Sequence, residues 1–237
     1  MTKAWLSRQG VPFEELDVES DPEAMAELRS RGLRSTPAVV IGDRAMTGWN
    51  PGQLAALVGI AYEERTGTPE QLLSTIRTIL EASLRAVRQV PDDRLALRSP
   101  DRDRPLRELA HHIFRVIEVS VDADVLGIFP ANTWLAPGDV PAHDSAERIA
   151  RFGETVKAKF DGWYRGTESD PARFTRTIDA DVGPRTLAQV LERTRLHAGQ
   201  HLRQLYVFLS WCSVEPEVPL SLQELRRMGL DLPDETF

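Results

Sequence analysis

The chain has 237 residues, 41% of them hydrophobic, and a formal net charge of -7. That is enough for one large domain or two small ones with ordinary cores, and two is the expectation. The acid excess is spread along the chain, which argues against nucleic acid, and no run of about 18 apolar residues or charged-then-apolar leader points to a membrane or to secretion. A cytoplasmic protein is expected, and the single cysteine, Cys212, excludes an internal disulfide framework.

Residues 2–9 place Ala4, Trp5 and Leu6 on a short helical pattern that Gly10 ends. Residues 11–18 alternate as a strand. Asp21 and Pro22 open a second helix that runs to Arg31, before Gly32. After Thr36-Pro37 the chain reads as strand, tight turn at Gly42-Asp43, and strand, then a helix from 51 to about 64. The segment 63–69 is polar and holds Gly67 and Pro69, which sets the domains at 1–64 and 65–237.

Beyond it, Leu72, Leu73, Ile76, Ile79, Leu80, Leu84 and Val87 make a long amphipathic helix ending near Gln89. Residues 91–100 form a charged loop, and Pro105 starts a second helix that continues to about Leu126. Asp144-Ser145-Ala146-Glu147 is a capping-box pattern for a third, ending near Tyr164. The pattern breaks down over 167–184 apart from a short strand at 174–178, and Thr186 opens the fourth helix. Pro216 and Pro219 keep the chain out of helix after it, and Ser221-Leu222-Gln223-Glu224 caps a last short helix. Four long helices with two connections of about 15 to 20 residues fit a bundle with crossovers.

His197 and His201 stand four residues apart on the fourth helix, and they share its inward stripe with Val190, Thr194 and Phe208. His112 shares a face with Leu109, Ile113 and Val116 and points into the core. His111 sits with Arg107, Arg115 and Glu118 and points out. A lone inward histidine reads as a core residue bonded to a carbonyl or carboxylate. Three of them on two helices compete for few partners and read as a site for a divalent metal.

Other residues carry weaker readings. Cys212 reads as a buried helix-end residue rather than a nucleophile. His143 reads as exposed, and Glu118 and Asp122 as solvated. Arg193, Arg195 and Arg203 bind an anionic substrate only if a pocket opens toward them, a solvated helix face being the default. The apolar stretch 128–135 reads as a cover for the metal or as packing over a helix end.

His112 with an aliphatic residue after it on an early helix, then His197-x-x-x-His201-x-x-Gln204 on a later one, resembles the DinB/YfiT-like superfamily over roughly residues 69–212. That resemblance implies a four-helix bundle in which His112, His197 and His201 hold a divalent metal, zinc or nickel, with open coordination positions. It also suggests Gln204 as the catalytic residue, reaching a bound water or substrate.

The order helix, strand, helix, Thr-Pro, hairpin, helix over about residues 2–60 resembles a glutaredoxin-like domain of the thioredoxin fold. Thr36-Pro37 resembles that family's cis-proline loop, which makes Thr36 and Pro37 the cofactor-binding candidates, and Gly48-Trp49-Asn50-Pro51 resembles its turn into the last helix. The resemblance implies a first strand and a Cys-x-x-Cys before Lys3, and residues 1–65 contain no cysteine. Two accounts stay open: a start inside a longer domain, or a domain kept for docking. The fold class is therefore α+β with two domains, an N-terminal glutaredoxin-like α/β domain and a C-terminal all-α bundle of DinB type.

An all-imidazole site leaves the metal's charge uncompensated, which acidifies a coordinated water or thiol. The resembled superfamily includes S-transferases and isomerases that use mycothiol or bacillithiol. The leading expectation is a metal-dependent transferase that joins a low-molecular-weight thiol of that type to a small electrophile. A metal-dependent hydrolase and a non-enzymatic metal-binding or stress-related module are the alternatives. The expected partners are the electrophile and the thiol, with no nucleic acid or membrane and with homodimerisation left open.

Overall fold

The computed structural model describes residues 2–18, 20–33, 36–48, 51–62, 66–99, 102–135, 145–167, 170–181, 183–230, 232, 234 and 236. They fall into two compact units, Met1–Arg65 and Thr66–Phe237.

The first unit runs α1 (Thr2–Arg8), α2 (Pro22–Ser30), β1 (Ala38–Ile41), β2 (Arg44–Thr47) and α3 (Pro51–Val58). The Asp21 carboxylate accepts from the backbone N–H groups of Glu23 and Ala24, so α2 starts where its cap and Pro22 place it. Strands β1 and β2 pair antiparallel with Ile41 opposite Arg44 across a turn in which Gly42 takes φ 59°. Trp5, Leu6, Leu54 and Ala55 form a small core, packed by Val11, Val39, Met46 and Val58. The Thr36-Pro37 peptide is cis, and Gly48 donates its N–H to the Pro37 carbonyl.

Two expectations in this unit need correction. Residues 11–17 alternate but form no strand, and Phe13 and Leu16 are exposed. A strand exists through its ladder, and among the described residues only β1 and β2 pair here. Helix α3 ends at Val58 rather than near 64, because Gly59 turns left-handed (φ 76°) and the Ile60 N–H caps the Ala55 carbonyl.

The second unit is largely helical. Its elements are α4 (Pro69–Arg88), β3 (Arg98–Ser99), β4 (Arg102–Pro105), α5 (Leu106–Leu126), β5 (Ile128–Phe129), α6 (Ala131–Trp134), α7 (Ala146–Thr167), β6 (Thr177–Ala180), β7 (Arg185–Thr186), α8 (Leu187–Trp211) and α9 (Leu222–Arg227). Thr68 with Gln71, Thr186 with Gln189, and Ser221 with Glu224 close reciprocal capping boxes at α4, α8 and α9. At α7 the cap is Ser145, whose hydroxyl accepts from the Arg148 N–H, while Asp144 lies outside the described residues.

Helices α4 and α5 each pack against both α7 and α8, so the four close a ring around one core. Leu72, Ile76, Ile79 and Leu80 of α4, Ile113, Phe114 and Ile117 of α5, Phe160 of α7 and Leu202 and Leu205 of α8 fill it. The charged loop after α4 holds the β3–β4 hairpin. The long connections on either side of α7 also meet: β5 runs parallel to β6, which pairs antiparallel with β7. The expected strand at 174–178 falls instead at Thr177–Ala180, after a 3-10 turn over Pro171–Thr175.

Buried polar contacts fasten this end of the ring. Asp124, fully buried near the end of α5, accepts from Trp163 Nε1 at 2.8 Å and from Arg173 Nε at 2.6 Å. One α5 carboxylate thus holds both α7 and the segment leading to β6.

Candidate metal centre

The site forms where α5 meets α8. Thr186 fixes the start of α8 through its capping box, and the apolar period of that helix, buried at Val190, Leu191, Thr194, Ala198, His201, Leu202 and Leu205, sets which face turns inward. On α5 the stripe of Leu109, Ile113 and Val116 carries His112 to the same place.

The two helices bring His112, His197 and His201 together. Their ligand-capable nitrogens all lie within 4.8 Å of one another, and among the described residues no carboxylate or thiol joins them. Ring centroids are 5.2 Å apart for His112 and His197, 5.1 Å for His112 and His201, and 4.6 Å for His197 and His201. His112 and His201 are buried and His197 is half-buried.

Burial comes first, and the charges of Arg104, His201, His111 and Arg193 add to it, in holding the His112 imidazole far below its ordinary pKa. Burial also leads in holding His197 well below 6.5, with His201, His112, Arg193 and Arg104 adding to it. Both rings are neutral at physiological pH, the form in which imidazole binds a metal.

His201 Nδ1 lies 2.6 Å from Gln204 Oε1, one turn further along α8. An amide oxygen only accepts, so Nδ1 carries the proton and Nε2 keeps its lone pair. Gln204 is held in that orientation because its own Nε2 donates to the Thr236 carbonyl at 3.3 Å, and Gln200 Nε2 donates to the same oxygen at 2.8 Å. The arrangement orients the His201 imidazole from behind, the support that a ligating histidine needs. A divalent ion fits this donor set: three neutral nitrogens from two rigid helices converge within one ion's reach, and one ring is already fixed in the ligating tautomer.

Several neighbours sit differently from expectation. His111 is buried, stacked on Phe152 of α7 at 4.3 Å with an interplanar angle of 13°. Its face of α5 is turned to α7 rather than to water, and Lys159 of α7 pairs there with Glu118 and Asp122. Nor do the arginines of α8 form a solvated face. Buried Arg195 binds Glu192 and the carbonyls of Met228 and Gly229, and buried Arg203 binds the Asp234 carbonyl and the Thr236 hydroxyl. The C-terminal segment, anchored by the buried Leu230 and Leu232, covers them.

Arg193 lies over the Phe129 ring, its guanidinium carbon 5.4 Å from the centroid. That is how the stretch 128–135 meets the site: Phe129 is buried in β5, and residues 131–134 form α6. Cys212 caps the end of α8 with its thiol pushed above the usual value by burial. Thr36 and Pro37 are exposed on the first unit, and His143 lies outside the described residues. No described helix is long and apolar enough to cross a membrane.

Residues 1–46 match the family model for glutaredoxin. Through this unit the chain belongs to the glutaredoxin family. It is 33% identical over 57 residues to the glutaredoxin-like protein NrdH of Lactococcus lactis subsp. lactis, covering 24% of this chain and 79% of that relative. It is 36% identical over 56 residues to the glutaredoxin-like protein NrdH of Escherichia coli K12, covering 24% and 69%.

Proposed function

We propose that the second unit is a metal-binding bundle of the DinB type, and that the protein is a metal-dependent transferase joining a low-molecular-weight thiol, of mycothiol or bacillithiol kind, to a small electrophile. The observation that carries this reading is the convergence of three imidazole donors on one point, with Gln204 fixing the tautomer of one of them. A divalent ion bound there supplies positive charge that lowers the pKa of a thiol beside it.

The protein's own residues do the rest. His112, His197 and His201 would hold the ion through neutral nitrogens alone, and among the described residues no carboxylate joins that ligand set. Buried Phe129 lies under the Arg193 guanidinium, one turn before His197 on α8. Gln204 acts through His201 as a positioning residue. Membership of a thiol-handling family in the first unit adds support by association.

Metal analysis and thiol titration test the reading. Purified protein should carry about one divalent ion per chain, and His112→Ala, His197→Ala and His201→Ala should each lose it, in keeping with a three-ligand site. Adding mycothiol or bacillithiol to cobalt-substituted protein should produce an intense sulfur-to-metal charge-transfer band. A spectrum unchanged by both thiols, together with ester or amide cleavage, would replace the transferase with a hydrolase.

A further inference from the structure

We infer that Arg193 is the anchor for a carboxylate, or a comparable small anion, on the molecule that approaches the histidine cluster. The identity of that molecule rests on the metal-site reading above, whereas the location of the anchor rests on the fold itself.

Arg193, His197 and His201 stand at i, i+4 and i+8 on α8, so the arginine lies on the cluster's side of the helix, one turn before its first ligand. The Phe129 ring beneath its guanidinium restricts how the group can turn. Its Nη1 is buried and has no hydrogen-bond partner among the described residues.

A guanidinium has no neutral form to retreat to at physiological pH, and a buried donor left unsatisfied is costly, the more so when it is charged. Asp181 attracts Arg193 through space without taking up Nη1. The other two arginines of this stretch differ. Arg195 spends its donors on Glu192 and two carbonyls, and Arg203 on the C-terminal segment. Of the three, Arg193 is the one with a buried donor that meets no acceptor among the described residues.

The charge around the cluster points the same way. Arg104 and Arg193 both act on His112 and His197, and the carboxylate that acts on Arg193, Asp181, leaves Nη1 without a bond. A neutral ligand would leave that donor unanswered. An anionic one places an oxygen on Nη1 and gains a charge-assisted hydrogen bond in a desolvated setting.

Two thiols of similar size decide the matter: mercaptoacetate, with a carboxylate, and 2-mercaptoethanol, with a hydroxyl. On cobalt-loaded protein mercaptoacetate should bind about tenfold tighter or more, the range of one charge-assisted hydrogen bond. Arg193→Met should erase the preference with metal content and circular dichroism intact, and Arg193→Lys should keep part of it. Equal binding of the two thiols by the wild type, or a preference that survives Arg193→Met, overturns the inference and leaves the metal site standing. If neither thiol gives a sulfur band, the transferase reading fails and acetate decides the anchor separately. Acetate should shift the NMR signal of the Arg193 side-chain Nε–H, and an unmoved signal overturns the inference.

Discussion

Replacing Gln204 with leucine separates a histidine that is merely nearby from one that is built to bind. The substitution keeps the size and half-buried setting of the side chain but removes the oxygen 2.6 Å from His201 Nδ1. It also removes the 3.3 Å bond to the Thr236 carbonyl, which Gln200 still holds at 2.8 Å, so the C-terminal segment stays in place. The loss is confined to the support of one ring. Such outer supports are worth about 10–100-fold in metal affinity, or about 1.4–2.7 kcal/mol, and a neutral acceptor belongs in the lower half of that range. Competition against a chromophoric chelator reads the affinity, and imidazole 15N shifts of the metal-free protein read the tautomer. Gln204→Leu should bind metal more weakly and lose the fixed Nδ1–H form of His201, while Gln204→Glu, a stronger acceptor, should keep both. Wild-type affinity and an unchanged nitrogen pattern in Gln204→Leu would refute the reasoning.

Three further outcomes test the surroundings. A Cβ added at Gly153 of α7 would meet the fully buried Phe114 ring at 2.6 Å, so Gly153→Ala should destabilise by about 1–3 kcal/mol in urea unfolding. Helix propensity alone would have favoured alanine by about 1 kcal/mol, so the sign of the change decides which effect wins. Asp124→Ala leaves the half-buried Arg173 and Trp163 indole N–H without their buried acceptor and should cost about 1–3 kcal/mol by the same measurement. Burial raises the Cys212 thiol above its usual pKa, so its thiolate is scarce at neutral pH. Iodoacetamide should therefore alkylate it more slowly than a free cysteine, with the rate rising as pH increases, and alkylation should leave metal binding intact.

Much of the helical unit is legible because its signals are local. The apolar period of α4, the Thr186-Gln189 box and the Ser221-Glu224 box each lie within a few residues, and each element begins where its cap stands. Of the sheet β5-β6-β7 only the middle strand leaves a local trace, a few residues early, and its pairing is hidden for the opposite reason. Ile128 and Phe129 pair with Asp179 and Ala180 across all of α7, and two residues carry no period of their own. In the first unit the alternation at 11–17 misleads, because alternation shows that a segment suits a ladder but not that a partner is present.

The histidines show how far face analysis reaches. It places His112, His197 and His201 together because one stripe per helix is enough to bring two helix faces into contact. It misplaces His111 because it grants α5 a single buried face. Leu109, Ile113 and Val116 form one apolar stripe, and Ala110, Phe114, Ile117 and Val121 form another, so the helix is apolar over most of its circumference and had to be buried on two sides. The arginines of α8 fail more deeply, since the cover over Arg195 and Arg203 comes from Met228, Gly229, Asp234 and Thr236, a segment far along the chain and marked locally by the buried Leu230 and Leu232. Once that segment is in place it takes the donors of those two and leaves Nη1 of the third without a bond among the described residues. The arginine it passes over is Arg193, one turn from His197. The same packing that hides two cations therefore leaves the remaining one beside the histidine cluster, where an incoming anion can use its charge.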